Sequence, residues 1–134
     1  MAAELDALSY KEIVEQGLRE FPNECCGVIA ADASGRPSKV IQMRNADASP
    51  VSYRLDAEEQ LKVFNQIEDD GWSLWAIYHS HTNSEAYPSE TDVRLAFYPD
   101  SRYLLLSLTD RNHPVLRSFF IRDGEITEEE LQIA

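Results

Sequence analysis

Trp72-Ser73-Leu74-Trp75-Ala76-Ile77-Tyr78-His79-Ser80-His81 is the stretch on which the reading of this chain turns. The apolar run from Trp72 to Tyr78 reads as a buried strand, and residues two apart on a strand face the same side. His79 and His81 therefore aim two imidazoles at one point, while Ser80 faces the other way and is expected to pack, or to steady the ligands from behind. The polar, turn-rich stretch Thr82 to Pro88 then reverses the chain. Asp92, at the start of the next helix, is the next carboxylate able to fold back on the same point. Two histidines and one carboxylate with a position left open form a catalytic zinc constellation, so zinc on His79, His81 and Asp92 is expected, and with it a hydrolase.

Each part also has a plainer reading. Ser89-Glu90-Thr91-Asp92 ahead of Val93, Leu95 and Ala96 is a capping box, with Ser89 as the cap and Asp92 in the third helical position. A His-x-His pair alone is a weak signal. The combination is stronger, because the chain holds three histidines and two are in the pair. His113, before Pro114 in a turn, reads as a solvated loop residue.

Composition bounds the rest. A chain of 134 residues that is 43% hydrophobic can bury a real core, and one domain over residues 1–134 is expected. No apolar run is long enough for a membrane span, and the first residues lack the basic start and apolar stretch of a signal peptide, so a cytoplasmic location is expected. Cys25 and Cys26 are adjacent and read as small buried hydrophobes in a reducing compartment. With 24 acidic against 12 basic residues and a formal charge of −12, nucleic acid is a poor partner. The terminal Glu125, Glu128, Glu129 and Glu130 read as a solvated face.

The periodic positions Tyr10, Ile13, Val14, Gly17, Leu18 and Phe21, with Ser9 and Glu12 as a capping box, predict a first helix ending at Pro22. Cys26 to Ala31 and Lys39 to Arg44 read as a hairpin, with Glu24 opening its first strand. Asp56 and Glu59 cap a second helix bearing Leu61, Phe64 and Ile67. The third helix is expected from Ser89 to near Pro99, followed by strands at Tyr103 to Thr109 and Val115 to Arg122. The fold class is α/β, a mixed central sheet packed by helices.

The spacing His79-x-His81-x7-Ser89-x2-Asp92 resembles the signature of the JAMM, or MPN+ (Mov34), metalloproteases. That family adds an upstream glutamate near a Cys-Gly pair, which the resemblance places at Glu24 in Asn23-Glu24-Cys25-Cys26-Gly27. Tyr53-Arg54-Leu55-Asp56, Glu59-Gln60-Leu61-Lys62-Val63, Ile77 to Thr82 and Glu85 to Ser89 look more narrowly like the bacterial Mec-type hydrolases. Thr82 stands where many members of the broad family have proline, but the Mec-type subgroup resembles this chain there too. The resemblance implies the JAMM/MPN, cytidine-deaminase-like architecture and Glu24 as the base that moves the proton of a water. Ser89 is either a helix cap or a donor to the developing oxyanion. It also implies a partner, a ubiquitin-like sulfur-carrier protein with a C-terminal Gly-Gly, from which the enzyme would release cysteine in cysteine biosynthesis. Thr82, in the loop running to Tyr87, is the candidate for contacting the leaving group. A peptidase for another ubiquitin-like conjugate or a small peptide, and a non-catalytic MPN scaffold, are the alternatives.

Overall fold

The computed structural model describes residues 2–134. In chain order the elements are β1 (Ala3–Leu5), α1 (Ala7–Glu20), β2 (Cys26–Ala31), β3 (Pro37–Met43), α2 (Ala57–Asp69), β4 (Ser73–His81), α3 (Glu90–Arg94), β5 (Arg102–Ser107), β6 (Val115–Arg122), β7 (Glu125–Glu129) and β8 (Leu131–Ile133). A six-stranded sheet runs in the order β3-β2-β4-β5-β6-β7, and β1 pairs with β8 apart from it. Within the large sheet β4 and β5 are parallel and the other pairs antiparallel. This is the mixed α/β sheet that the sequence predicts. No helix among the described residues is long and apolar enough to cross a membrane.

Both faces of β4 are covered, which explains its unbroken apolar run. Ala76 and Tyr78 join Ile13 of α1, Cys25, Leu104 and Leu106 in one core cluster. Ile77 faces the other way, with Cys26, Val28, Leu105 and Phe119, and Ile67 of α2 and Val93 of α3 close that side. Full burial of a leucine, isoleucine or phenylalanine among these contributes about 1.5–3 kcal/mol. His79 and His81 continue the odd-numbered row on the α2 side, and Ser80 faces the α1 side.

A buried polar chain ties α1 to this sheet. The Tyr78 hydroxyl donates to Gln16 Oε1, and Gln16 Nε2 donates to the Cys26 carbonyl at 2.9 Å. Gln16 is therefore fully buried on α1, whereas Leu18, counted in the apolar stripe from sequence, is 41% exposed. Tyr78 lies across Gly27, where a Cβ would collide with the tyrosine hydroxyl and come within 2.5 Å of the Ile41 carbonyl oxygen.

Several boundaries differ from the sequence expectation. The cap of α1 is Asp6, whose side chain accepts from Ser9 N at 2.6 Å, so the helix starts a turn earlier than a Ser9–Glu12 box would place it. Asp56 caps α2 as expected, but the Glu59 carboxylate turns away and accepts from the Arg44 main-chain N–H at 2.8 Å. α3 stops at Arg94 instead of near Pro99, with the Leu95 N–H closing it on Thr91 and Val93. Ala96 and Tyr98 leave it to pack on the α2 side of the sheet.

Glu125, Glu128 and Glu130 are exposed, as the sequence suggests, but the segment is a strand, β7, and Glu129 is half-buried. Asp123 and Gly124, both at positive φ, form a two-residue turn into β7, a signal present in the sequence as Asp-Gly. There Glu128 pairs with Arg117 at 2.7 Å and Glu129 with Arg102 at 2.6 Å. Gly27→Ala is expected to lower unfolding free energy by about 3 kcal/mol in urea denaturation, since Tyr78 and the β3 backbone would both have to shift. A loss below about 0.5 kcal/mol would show that they yield freely.

Candidate active site and metal centre

The last turn of β4 and the first turn of α3 meet at one point. His79 Nε2 lies 3.2 Å from Asp92 Oδ1, and His81 Nε2 lies 3.0 Å from Asp92 Oδ2. The two imidazole Nε2 atoms are 3.2 Å apart. Asp92 is delivered by the capping box: Ser89 Oγ accepts from Asp92 N at 3.1 Å, and Asp92 Oδ2 accepts from Ser89 N at 2.9 Å. The helix-start reading and the ligand reading of Ser-x-x-Asp thus describe one geometry.

A test of whether these residues suit a metal lies in their lone pairs. His81 Nδ1 sits 2.9 Å from the Glu85 carbonyl, which can only accept, so Nδ1 carries the proton and Nε2 of the neutral ring is bare. That bare nitrogen faces a carboxylate oxygen and a second imidazole nitrogen. Acceptors this close repel one another unless a proton or a cation lies among them, and the ligand atoms of His79, His81 and Asp92 all fall within 4.8 Å of one another. The group fits a metal ion.

Titration agrees. Burial holds His79 neutral, below the ordinary imidazole range. At His81 burial pulls the same way, but hydrogen bonds to Asp92 and to the Glu85 carbonyl overcome it and raise the group. Burial alone would raise Asp92, yet hydrogen bonds to His79 and His81 hold its carboxyl well below the usual range. The ring of His79 has a further constraint. Its Nδ1 is buried without a hydrogen-bond partner, so no such bond orients the ring. Tyr53 does, stacked on it at 4.1 Å and 18°.

Glu24 stands beside this cluster without belonging to it. It is 6% exposed, and its carboxyl is pushed up to about 7, chiefly by burial, with His81 lowering it and Asp92 raising it. It lies just ahead of β2, where the loop between β3 and α2 holds its main chain. Its N–H donates to the Ser49 carbonyl at 2.9 Å, and its carbonyl accepts from Asn45 Nδ2 at 3.0 Å. The next residue is held from behind the ligands, as Cys25 N donates to Ser80 Oγ at 2.8 Å and Ser80 N donates to the Cys25 carbonyl at 3.0 Å. Ser80 thus has the steadying position its spacing suggests.

The remaining expected residues are placed as follows. Ser89 is exposed beside the ligands. Thr82 is 9% exposed and its hydroxyl donates to the Pro50 carbonyl at 2.8 Å. The loop that follows is pinned, because Ser107 Oγ donates to the Ser84 carbonyl at 2.7 Å and Tyr87 packs edge-on against Phe119 at 5.4 Å. His113 is exposed, 3.0 Å from Asp110, and Cys25 and Cys26 are buried free thiols. A cavity of about 210 Å³, lined by Tyr53, Leu55, Leu95, Phe97, Tyr98 and Tyr103, opens beside Asp92. Tyr53 stands in a run that looks like the Mec-type hydrolases, but that likeness gives it no role in the site, and nothing in the sequence singles out Asn45 at all.

The Glu24 shift has a cost in stability. A glutamate of ordinary value 4.5 that titrates near 7 when folded binds its proton more tightly in the native state, so stability falls as pH rises across that interval. Metal-free Glu24→Gln should match the metal-free parent at pH 4 and exceed it by about 3 kcal/mol at pH 8, in urea denaturation with chelator. A difference independent of pH would mean that the carboxyl is not buried as a charge.

The family model described as prokaryotic homologs of the JAB domain matches residues 7–122. The CysO-cysteine peptidase of Mycobacterium tuberculosis (strain ATCC 25618 / H37Rv) is 48% identical over 122 residues, which is 90% of this chain and 84% of that protein. A desampylase of Haloferax volcanii is 39% identical over 88 residues, covering 64% of this chain and 63% of that protein. Among solved structures, protein DSY2949 from Desulfitobacterium hafniense aligns with a TM-score of 0.87 at 32% identity, over 98% of this chain and 92% of that one. The family match runs from the first turn of α1 to the end of β6 and takes in every site residue above, and the chain belongs to the prokaryotic JAB-domain family, the JAB/MPN group that its ligand spacing resembles.

Proposed function

We propose that this chain is a zinc-dependent amide hydrolase that cleaves the bond between the C-terminal glycine of a ubiquitin-like sulfur-carrier protein and cysteine. Free cysteine is the product, and residues 1–134 act as one metalloprotease domain. The observation that carries the reading is a buried carboxyl, Glu24, with a pKa of about 7 beside a two-histidine, one-aspartate cluster it does not join. The 48% identity to a protein named for the same reaction supports the choice of substrate. The two buried free thiols suit the reducing cytoplasm.

His79, His81 and Asp92 would hold zinc, a borderline-soft ion suited to nitrogen and oxygen donors. When bound it supplies a Lewis acid and lowers the pKa of a water molecule. Glu24 takes the proton of the attacking water and passes it to the leaving amine, and a pKa near 7 lets one carboxyl do both at neutral pH. Ser89 does not have to choose between two jobs. Its oxygen accepts from Asp92 N through a lone pair, and its own hydroxyl proton stays free to donate to the carbonyl oxygen as charge develops there. Loss of such a donor costs about 3–4 kcal/mol in activation free energy.

The apolar cavity beside Asp92 gives the carrier's tail a surface to lie against, while a C-terminal Gly-Gly, having no side chains, can pass close to the ligands. Thr82 would act on the leaving cysteine through the loop it anchors, since its hydroxyl is bound to Pro50. An intact ligand cluster speaks against the scaffold alternative. The desampylase relative keeps a different ubiquitin-like conjugate in view as a second reading.

Zinc should co-purify at about one per chain. His79→Ala, His81→Ala and Asp92→Ala should lose both metal and turnover, whereas Glu24→Gln should keep the metal and lose at least about 100-fold in kcat. Metal analysis beside a cysteine-release assay checks this, and metal loss in Glu24→Gln would move that residue into the ligand set.

On substrate, CysO-cysteine should be cleaved far faster than a Gly-Gly-Cys peptide, because the remote carrier surface supplies the binding energy that positions the amide. Equal kcat/KM values would favour a small-peptide hydrolase. No cleavage of either by zinc-loaded protein would favour the scaffold.

A further inference from the structure

Asn45 lies in the loop between β3 and α2, in the run Asn45-Ala46-Asp47-Ala48-Ser49-Pro50, whose composition is that of a solvated turn. It is nevertheless 6% exposed. Its amide makes four hydrogen bonds, the full complement that an asparagine side chain offers. Oδ1 accepts from Asp47 N at 3.0 Å and Arg54 N at 3.1 Å, and Nδ2 donates to the Ser52 carbonyl at 2.9 Å. Those three bonds fold the loop on itself. The fourth reaches a distant segment, the Glu24 carbonyl at 3.0 Å.

That bond falls where the sheet no longer holds the chain. Glu24 precedes the first paired residue of β2, Cys26, so no ladder partner fixes its peptide groups. The β3–α2 loop takes both of them, because the Ser49 carbonyl accepts from Glu24 N at 2.9 Å while Asn45 donates to the Glu24 carbonyl. The same loop carries Tyr53 onto the His79 ring. One side-chain amide therefore connects the residue read as the base to the segment that braces a ligand.

We propose that Asn45 is a positioning residue of the hydrolytic site, which sets the main chain of Glu24 and thereby the place of its carboxyl beside the ligand cluster. The inference rests on the reading of Glu24 as the base. A displacement of about 1 Å at a reacting group costs on the order of 100-fold in rate, so one hydrogen bond at this point is worth far more to turnover than to stability.

Asparagine to aspartate is the informative change. It keeps the size of the side chain and the two acceptor bonds of Oδ1, and it sets a carboxylate oxygen, which cannot donate, against the Glu24 and Ser52 carbonyls. Asn45→Asp and Asn45→Ala are to be made in the parent and in Glu24→Gln, with zinc content, thermal transition, kcat and KM on CysO-cysteine measured for each and rates expressed per bound zinc. In the parent, both variants should keep about one zinc and a KM within about twofold, and lose about 10- to 100-fold in kcat. In Glu24→Gln the same changes should alter the residual kcat by less than about twofold, because the group they position has already been removed. Equal losses in both backgrounds, or no loss in the parent, would overturn the proposal, and so would Asn45→Asp losing its zinc or its folding transition, which would assign Asn45 to the fold alone. Parent protein that is zinc-loaded yet leaves the conjugate intact would defeat the functional reading and this inference with it, whereas cleavage by the parent with equal losses in both backgrounds defeats this inference only.

Discussion

The carboxylate of Asp92 is shared between a helix cap and a pair of imidazoles, and the site depends on that sharing. One oxygen, Oδ2, accepts from Ser89 N at 2.9 Å and faces His81 at 3.0 Å, while Oδ1 faces His79. A carboxylate offers about four lone-pair positions, so these roles do not compete. The cap also fixes the rotamer of the ligand. α3 is five residues long and would be marginal alone, so its start is decided by this box and by the apolar contacts of Val93 and Ala96. Moving the cap by one residue would withdraw the carboxylate from the histidines.

The charges at the site oppose the burial around it. His79 and Glu24 both lie where water is scarce, and desolvation is the leading influence on each. For His79 that influence favours the neutral ring, the form that binds metal. For Glu24 it favours the protonated acid, which brings the carboxyl near neutrality and costs stability whenever it is ionised. One physical effect thus favours the neutral form of both the proposed ligand and the proposed proton carrier, and the difference in direction of the shift follows from the charge each group bears when ionised.

The sequence revealed what periodicity and spacing can encode. The His-x-His pair on one face of β4, Ser80 on the other, Asp92 at a helix start and the buried cysteines could all be read from residue order, because strand alternation and capping are local rules. Glu24 was legible only through its family position, since nothing local separates it from a surface glutamate. Asn45 was not legible, and Tyr53 was marked only by its place in a run like the Mec-type hydrolases, because the contacts that give both their roles are with residues far along the chain. β7 was missed for another reason: a run of glutamates does not read as a strand until Arg117 and Arg102 are known to pair with Glu128 and Glu129 across the sheet.

The misses at the site share a cause. The active site sits where regular backbone pairing ends, at the last residues of β4, just before β2 and beyond β3, and there single side chains take over from the ladder. Ser80 holds Cys25, Asn45 holds Glu24, Thr82 holds Pro50 and Ser107 holds Ser84, each through one hydrogen bond between a side chain and a distant main-chain group. Ladder bonds repeat, so losing one shifts a strand only slightly, but these side-chain bonds share their load with single main-chain bonds, such as Glu24 N to the Ser49 carbonyl and Ser80 N to the Cys25 carbonyl. The precision of such a site therefore rests on small polar residues that contribute modestly to stability, about 1 kcal/mol for a typical net hydrogen bond, and far more to geometry. Changes at these positions are the ones in which rate and stability should part company, because the sheet beneath them remains whole while the groups above it lose their place.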